Sequence, residues 1–299
     1  MKLIIADPID EAAKNELMKL VKVEDLSDIP KDELPKYVKD ADIMVVRSAT
    51  KVRRNMIDQM QNMKLIIRGG VGIDNIDVEY AREKGIEVRN TPAASSITVA
   101  ELTIAHMLAV ARHIPYGTQS LKQGKWEKKK LKGMELYGKT VGIIGLGRIG
   151  NEVAKRVQAL GMKVIAYDPY VKESAVAKLV DLDTLLREAD IITIHTPLTA
   201  ETHHLIGRKE IEKMKDGVIL INTARGGVID ESAIIWGLET GKIYGVGLDV
   251  YEQEPLPADH PLLKFDNVSL TPHIGAQTAA ARERIGQEVV KIVREFVSK

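Results

Sequence analysis

No cysteine occurs in the 299 residues, which excludes a disulfide framework and any thiolate metal site. Neither sign of charge is in excess. Lys and Arg number 43 against 42 Asp and Glu, a net charge of +1, so nothing electrostatic points to nucleic acid or an anionic membrane as partner. No stretch approaches twenty apolar residues, and the opening MKLIIADPIDEA has only a brief apolar run before Asp7 and Pro8. Neither a secretory leader nor a membrane span is expected, and a cytoplasmic chain is. Low-complexity segments and short internal repeats are missing too.

What is present is alternation. Short apolar runs are separated by amphipathic stretches, the pattern of parallel sheets covered by helices, and the length suits two domains. In the first ninety residues LIIA (3–6), VKVED (21–25), DIMVVRS (42–48), KLIIRGG (64–70) and IEVRN (86–90) read as strands. Helical stretches lie near 10–20, 31–39, 53–61 and 76–84. One long helix is expected over 96–114, capped by Ser95 or Ser96 and apolar over most of its circumference, hence buried. A basic, broken segment follows, QSLKQGKWEKKKLKGMELYGK. The alternation then resumes with strands at 140–147, 162–168, 191–197, 217–224, 244–250 and 267–272, and ends in a helix over 276–297. The fold class is α/β, with two doubly wound parallel-sheet domains.

Within the second series stands VGIIGLGRIGNEVAKRV. Gly145, Gly147 and Gly150 form G-x-G-x-x-G directly after a strand and opening a helix. The motif alone fits any tight turn; the strand–helix context makes it a dinucleotide site. Gly145 permits the turn, Gly147 lets a pyrophosphate approach the backbone, and Gly150 allows close helix–strand packing. Asp168 ends the next strand, where an acid accepts hydrogen bonds from ribose hydroxyls and repels a 2′-phosphate. No arginine follows it, so the expected cofactor is NAD rather than NADP.

Three further stretches lie at carboxyl ends of later strands, where open α/β sheets place their ligands. They are NTARGGVIDESAI (222–234), GLDVYEQEP (247–255) and TPHIG (271–275). Arg225 offers a forked cation for a carboxylate, Glu254 a partner for an imidazole, and His273 a proton acceptor near neutral pH. Each also has a plain structural reading: a loop-capping arginine, a solvated surface acid, a hydrogen-bonded histidine.

Over nearly its full length the chain resembles the D-isomer-specific 2-hydroxyacid dehydrogenases. The resemblance is carried by VRSATKV (46–52), RGGVGIDNIDVE (68–79), NTPAASSITVAELT (90–103), GKWEKKKLKGMELYGKTVGIIGLGRIG (124–150), HTPLTAET (195–202), NTARGGVIDE (222–231), LDVYEQEP (248–255) and TPHIGAQT (271–278). It implies catalytic roles for Arg225, Glu254 and His273, and cofactor contacts from Arg148, Ile149, Asp168, Thr196, Thr223, Ala224 and Asp249. It implies a Rossmann NAD-binding domain (95–275) inserted into a flavodoxin-like substrate domain (1–94 with 276–299), with the active site in a cleft that closes by a hinge. It also implies a homodimer in which the long helix and the basic segment pack against the partner.

Within the family the chain is most like the branch that oxidises D-3-phosphoglycerate to 3-phosphohydroxypyruvate, the first step of serine biosynthesis. Many members of that branch carry a further serine-binding regulatory domain; the sequence ends at Lys299, so such feedback is not expected. A phosphorylated substrate needs cations beyond Arg225. Arg47 and Arg68 each end a strand, and the N–H groups of Gly69, Gly70, Val71 and Gly72 add donors, with Lys128 to Lys130 a further source of charge. Alternatively, Arg47 and Arg68 only pair with acids such as Asp74. A glyoxylate or hydroxypyruvate reductase, or another D-2-hydroxyacid dehydrogenase, would share the same catalytic residues. A remote alternative is an NAD(H)-sensing, non-catalytic interaction protein, since the family includes transcriptional corepressors on this fold; against it stands the lack of extra docking tails.

Overall fold

The apolar runs become short parallel strands, and their composition sets their place in the sheet. In the computed structural model, which describes residues 1–298, the chain begins β1 (Lys2–Ile5), α1 (Glu11–Met18), β2 (Lys22–Asp25), β3 (Ile43–Val46), α2 (Arg54–Ile57), β4 (Leu65–Arg68), α3 (Val78–Glu83) and β5 (Glu87–Asn90). It continues through α4 (Ser96–Ala111), α5 (Ile114–Lys122), β6 (Thr140–Ile144), α6 (Arg148–Ala159), β7 (Lys163–Tyr167), β8 (Lys178–Leu179), α7 (Leu182–Glu188) and β9 (Ile191–Ile194). The last elements are α8 (Arg208–Lys213), β10 (Val218–Asn222), α9 (Glu231–Glu239), β11 (Ile243–Leu248), β12 (Val268–Leu270) and α10 (Ala279–Val297). Every strand expected from the sequence forms. The two-residue edge strand β8 was not expected, being too short to leave a periodic signal.

Three helical expectations need correction. The stretch 31–39 yields only a 3-10 turn at Leu34–Lys36, which begins at Leu34-Pro35, and 53–61 yields only the single turn α2. The long helix expected over 96–114 stops at Ala111, because His113 takes a left-handed backbone (φ 52°), and α5 leaves at a bend of 64°. Nor is α4 buried all round. Ile97 and Leu108 on it stay exposed, while Ala100, Met107 and Val110 enter the core. Among the described residues no single helix is long and apolar enough to cross a membrane.

Contacts divide the chain into two units, Met1–Thr98 with the chain from Ala276 onward, and Val99–Gly275. The first has a five-stranded parallel sheet in the order β2-β1-β3-β4-β5, a flavodoxin-like arrangement. Its central strand IMVV is buried throughout, as parallel strands covered on both faces must be, whereas the edge strand KVED is largely polar. α1 and α10 cover one face through Ala13, Leu17, Ile285, Val289 and Val293. The second unit has seven parallel strands in the order β12-β11-β10-β9-β6-β7-β8. Its connections reverse direction between β6 and β9, the switch point at which open α/β sheets bind ligands.

The terminal helix belongs to the first unit because α10 lies directly on α1. At their crossing a methyl group on Gly286 would stand 2.6 Å from Ala13 Cβ, so only glycine lets the backbones approach this closely. Gly286→Val is therefore expected to cost about 1–3 kcal/mol, as overpacking a close contact does. A lowered urea midpoint checks this; an unchanged midpoint would mean the crossing is not a tight constraint.

Candidate active site and dinucleotide site

Three loops at carboxyl ends of strands in the second unit meet around His273. The ring Nδ1 lies 2.7 Å from Glu254 Oε2, and Glu254 Oε1 accepts the Tyr251 N–H at 3.2 Å. Burial alone would raise the Glu254 carboxyl. The hydrogen bond and charge of His273, the Tyr251 N–H and the charge of Arg225 outweigh it, and hold the group below its ordinary value of 4.5. Glu254 is thus ionised at neutral pH and can only accept, so His273 Nδ1 carries the proton and Nε2 is the basic nitrogen of the neutral ring. The pairing is complete above that ordinary value and is lost as pH falls through the depressed one.

Arg225 follows β10 in a tightly folded loop. Asn222 donates to the Arg225 carbonyl at 2.8 Å and accepts the Ala224 N–H at 3.0 Å, while Arg225 Nη1 donates to Ala224 O at 2.6 Å. A side chain at Gly226 would collide with the Tyr251 carbonyl, so the loops bearing Arg225 and Glu254 are packed backbone to backbone.

The backbone at His273 is itself left-handed (φ 53°), a conformation non-glycine residues adopt only when their surroundings impose it. Asp249 imposes it. Its Oδ1 accepts Thr271 Oγ1–H at 2.6 Å and Ile274 N–H at 2.8 Å, and its Oδ2 accepts Gly275 N–H at 2.8 Å. Donors on both sides of His273 thus converge on one carboxylate that is 1% exposed. The structure gives Asp249 this inward arrangement. Thr223 is likewise buried, its hydroxyl 2.8 Å from Thr103 Oγ1 on α4.

The glycine-rich turn joins β6 to α6 at the switch point. Gly145 takes φ +92°, and a methyl there would lie 2.8 Å from His195 O. At Gly150 a methyl would strike the Gly145 carbonyl, whereas at Gly147 it would meet nothing within 4 Å. The turn is closed where helix meets strand and open at the middle glycine, as a pyrophosphate requires. Arg148 and Ile149 begin α6, whose first N–H groups lack helical partners. Asp168 at the end of β7 accepts Leu146 N–H at 2.8 Å and Tyr170 N–H at 2.9 Å, one on each oxygen, and each oxygen keeps a lone pair for a ribose hydroxyl.

One residue of this site was not singled out from the sequence. His195 follows β9 beside the turn; burial pushes its ring down to about 3, so it is neutral. Its Nε2 lies 3.0 Å from Thr193 Oγ1, while Nδ1 is buried without a hydrogen-bond partner, as is Thr196 Oγ1. Two unpartnered buried polar atoms next to an open glycine turn fit a polar ligand there. A titratable residue at the strand end flanking the switch point was the available signal.

In the first unit Arg47 follows β3, and its loop is held from both sides. Asp7, 1% exposed, accepts the N–H groups of Arg47 (2.6 Å) and Thr50 (3.1 Å), and Asn75 donates to the carbonyls of Arg47 (2.8 Å) and Thr50 (2.7 Å). Burial pushes the Arg47 guanidinium down; the charge of Arg282 on α10 adds to this, and Asp7 opposes it. Its Nε is buried without a partner. Arg68 folds over Gly70, with Nη1 3.5 Å from Gly69 O. Gly69 N–H is bonded to Val46 O at 2.8 Å, which corrects its expected use as a donor to an anion. Lys128 to Lys130 form an exposed 3-10 turn, with Lys130 paired to Glu127 at 2.6 Å.

Residues 104–275 match the family model for the D-isomer specific 2-hydroxyacid dehydrogenase, NAD binding domain. A hydroxypyruvate reductase of Thermotoga maritima is 55% identical over 298 residues, covering 98% of this chain and 97% of that protein. A D-3-phosphoglycerate dehydrogenase of Methanocaldococcus jannaschii is 51% identical over 302 residues; the match takes in 99% of this chain but 57% of that longer protein. Among solved structures, a D-lactate dehydrogenase of Aquifex aeolicus complexed with NAD and lactic acid superposes with a TM-score of 0.87 at 36% identity, covering 100% of this chain and 96% of that one. The chain belongs to the D-isomer specific 2-hydroxyacid dehydrogenases and carries their NAD binding domain.

Proposed function

We propose that the chain oxidises a phosphorylated D-2-hydroxy acid, D-3-phosphoglycerate, to the 2-keto acid, with His273 as acid/base. The His273–Glu254 pair supports the chemistry. His273 Nε2 takes the proton of the C2 hydroxyl, Glu254 stabilises the imidazolium that forms, and Arg225 pairs with the substrate carboxylate and polarises the developing carbonyl. When bound, NAD supplies the acceptor for the hydrogen that leaves C2 with its electron pair. Gly147 and the first turn of α6 receive the pyrophosphate, Asp168 the adenine ribose, and Thr196, Thr223 and Ala224 complete the cofactor site. Asp249 then serves the cofactor only indirectly, by shaping the adjoining loop.

The substrate assignment rests on one observation, the half-buried Arg47 whose Nε has no partner and whose neighbour Arg282 is another cation. A cation that feels the charge of another is stabilised when an anion binds there, and a dianionic phosphate suits such a pair best. Arg68 and the amides of Gly70, Val71 and Gly72 are further candidate phosphate ligands. Arg282 extends the set read from the sequence, where it looks like an ordinary surface residue of α10. The exposed Trp126 and Tyr137, with Leu121, give the segment after α4 an apolar surface that supports a homodimer.

A second reading is reduction of hydroxypyruvate, favoured by the Thermotoga relative that this chain matches along almost all its length. The two are separated by kcat/KM for D-3-phosphoglycerate and D-glycerate, measured on the unmodified protein and on Arg47→Ala. Charge-assisted hydrogen bonds contribute about 1.5–3 kcal/mol. The preference for the phosphorylated acid is therefore expected to fall on the order of ten- to a hundredfold in the variant. A native preference for glycerate, or equal losses on both substrates, would give the hydroxypyruvate reading its place.

Asp168→Ala is expected to narrow the preference for NAD over NADP, because it removes both the ribose acceptor and a charge that repels a 2′-phosphate. The ratio of kcat/KM for the two cofactors measures this; an unaltered ratio would assign the discrimination to another residue.

A further inference from the structure

His106 lies in α4 and is 2% exposed, yet both of its ring nitrogens are hydrogen-bonded. The strand beneath makes room for it. A methyl on Gly247 of β11 would stand 2.6 Å from His106 Cβ, so glycine there lets the helix seat a histidine against the sheet. Nδ1 is 2.9 Å from Ser269 Oγ, and Nε2 is 3.0 Å from Thr271 Oγ1. Burial pushes the ring down, opposed in part by the charge of Asp249, so it is held neutral.

The proton count fixes the direction of every bond. Thr271 has one hydroxyl proton, and it goes to Asp249 Oδ1 at 2.6 Å. Thr271 Oγ1 must therefore accept from His106, which places the ring proton on Nε2 and leaves Nδ1 to accept from Ser269. The result is a one-way chain, Ser269 to His106 to Thr271 to Asp249. Asp249 also receives Ile274 N–H and Gly275 N–H, on the far side of His273. His273 N–H itself bonds to Thr271 O at 3.1 Å.

We propose that His106 is a positioning residue for His273. By donating from Nε2 it orients the Thr271 hydroxyl toward Asp249, and so fixes the loop whose left-handed backbone presents the catalytic ring to Glu254. The proposal rests on the reading of His273 as acid/base. His106 touches neither substrate nor cofactor in this scheme; it acts through Thr271.

Three variants separate positioning from mere packing. His106→Gln keeps a donor near the Nε2 position, His106→Asn keeps polar atoms only near Nδ1, and His106→Leu keeps none. The Leu and Asn variants are expected to lose kcat on the order of tenfold, since small misplacement of a reacting group is costly, while the KM for both substrates and NADH binding by fluorescence titration stay near native. His106→Gln should recover most of kcat. Native kcat in His106→Leu would overturn the proposal, as would losses that follow thermal stability whichever polar atom is kept. His273→Ala, measured in parallel, tests the underlying reading, with an expected fall of roughly 10²–10⁴ in kcat. Native kcat in His273→Ala would overturn the acid/base role and the proposal with it. A large loss there beside native activity in His106→Leu would overturn the His106 proposal alone.

Discussion

The carboxylate of Asp249 is the constraint on which the geometry of the candidate active site depends. A buried charge is tolerable only when its oxygens are supplied with donors, and here one hydroxyl and two backbone N–H groups converge on it. Those donors flank His273 in sequence, so satisfying the charge and bending the backbone at His273 are the same event. The bend in turn puts Nδ1 2.7 Å from Glu254. A left-handed histidine, costly in isolation, is stabilised because relaxing it would leave a buried carboxylate short of partners.

The same logic of held loops recurs in the first unit with the opposite charge. Asp7 and Asn75 clamp the loop after β3 through its N–H and carbonyl groups, and the side chain so presented is a cation, Arg47, beside a second cation, Arg282. In both units the strand ends supply rigid origins and buried polar side chains set the loop. The side chain proposed to act then extends from a backbone that has little freedom.

Much of this was legible in the sequence. The strands were, because parallel strands covered on both faces are continuous apolar runs. The G-x-G-x-x-G turn was, because its context of strand and helix is local. The meeting of His273 with Glu254, with Arg225 close enough to act on its charge, was, by side-chain type at strand ends and by resemblance; their roles are the reading proposed above. The break at His113 was not, since a single left-handed residue leaves the apolar pattern of α4 and α5 unchanged. The partners of Asp249 and the His106 chain were not either, because His106 meets Ser269 and Thr271 more than 160 positions away and such pairings have no periodicity. Arg282 was missed for a related reason: on a helix surface it looks like any solvated cation until the fold brings it to Arg47.

Whether Glu254 and His273 work as one device is tested most directly by a double-variant cycle. kcat is measured for His273→Ala, Glu254→Gln and the two combined. If the carboxylate acts only through the ring, the double variant falls no further than His273→Ala alone, as residues that work as a unit do. Losses that multiply in the double variant would mean that Glu254 acts independently of His273, and would contradict the pair as the centre of the chemistry.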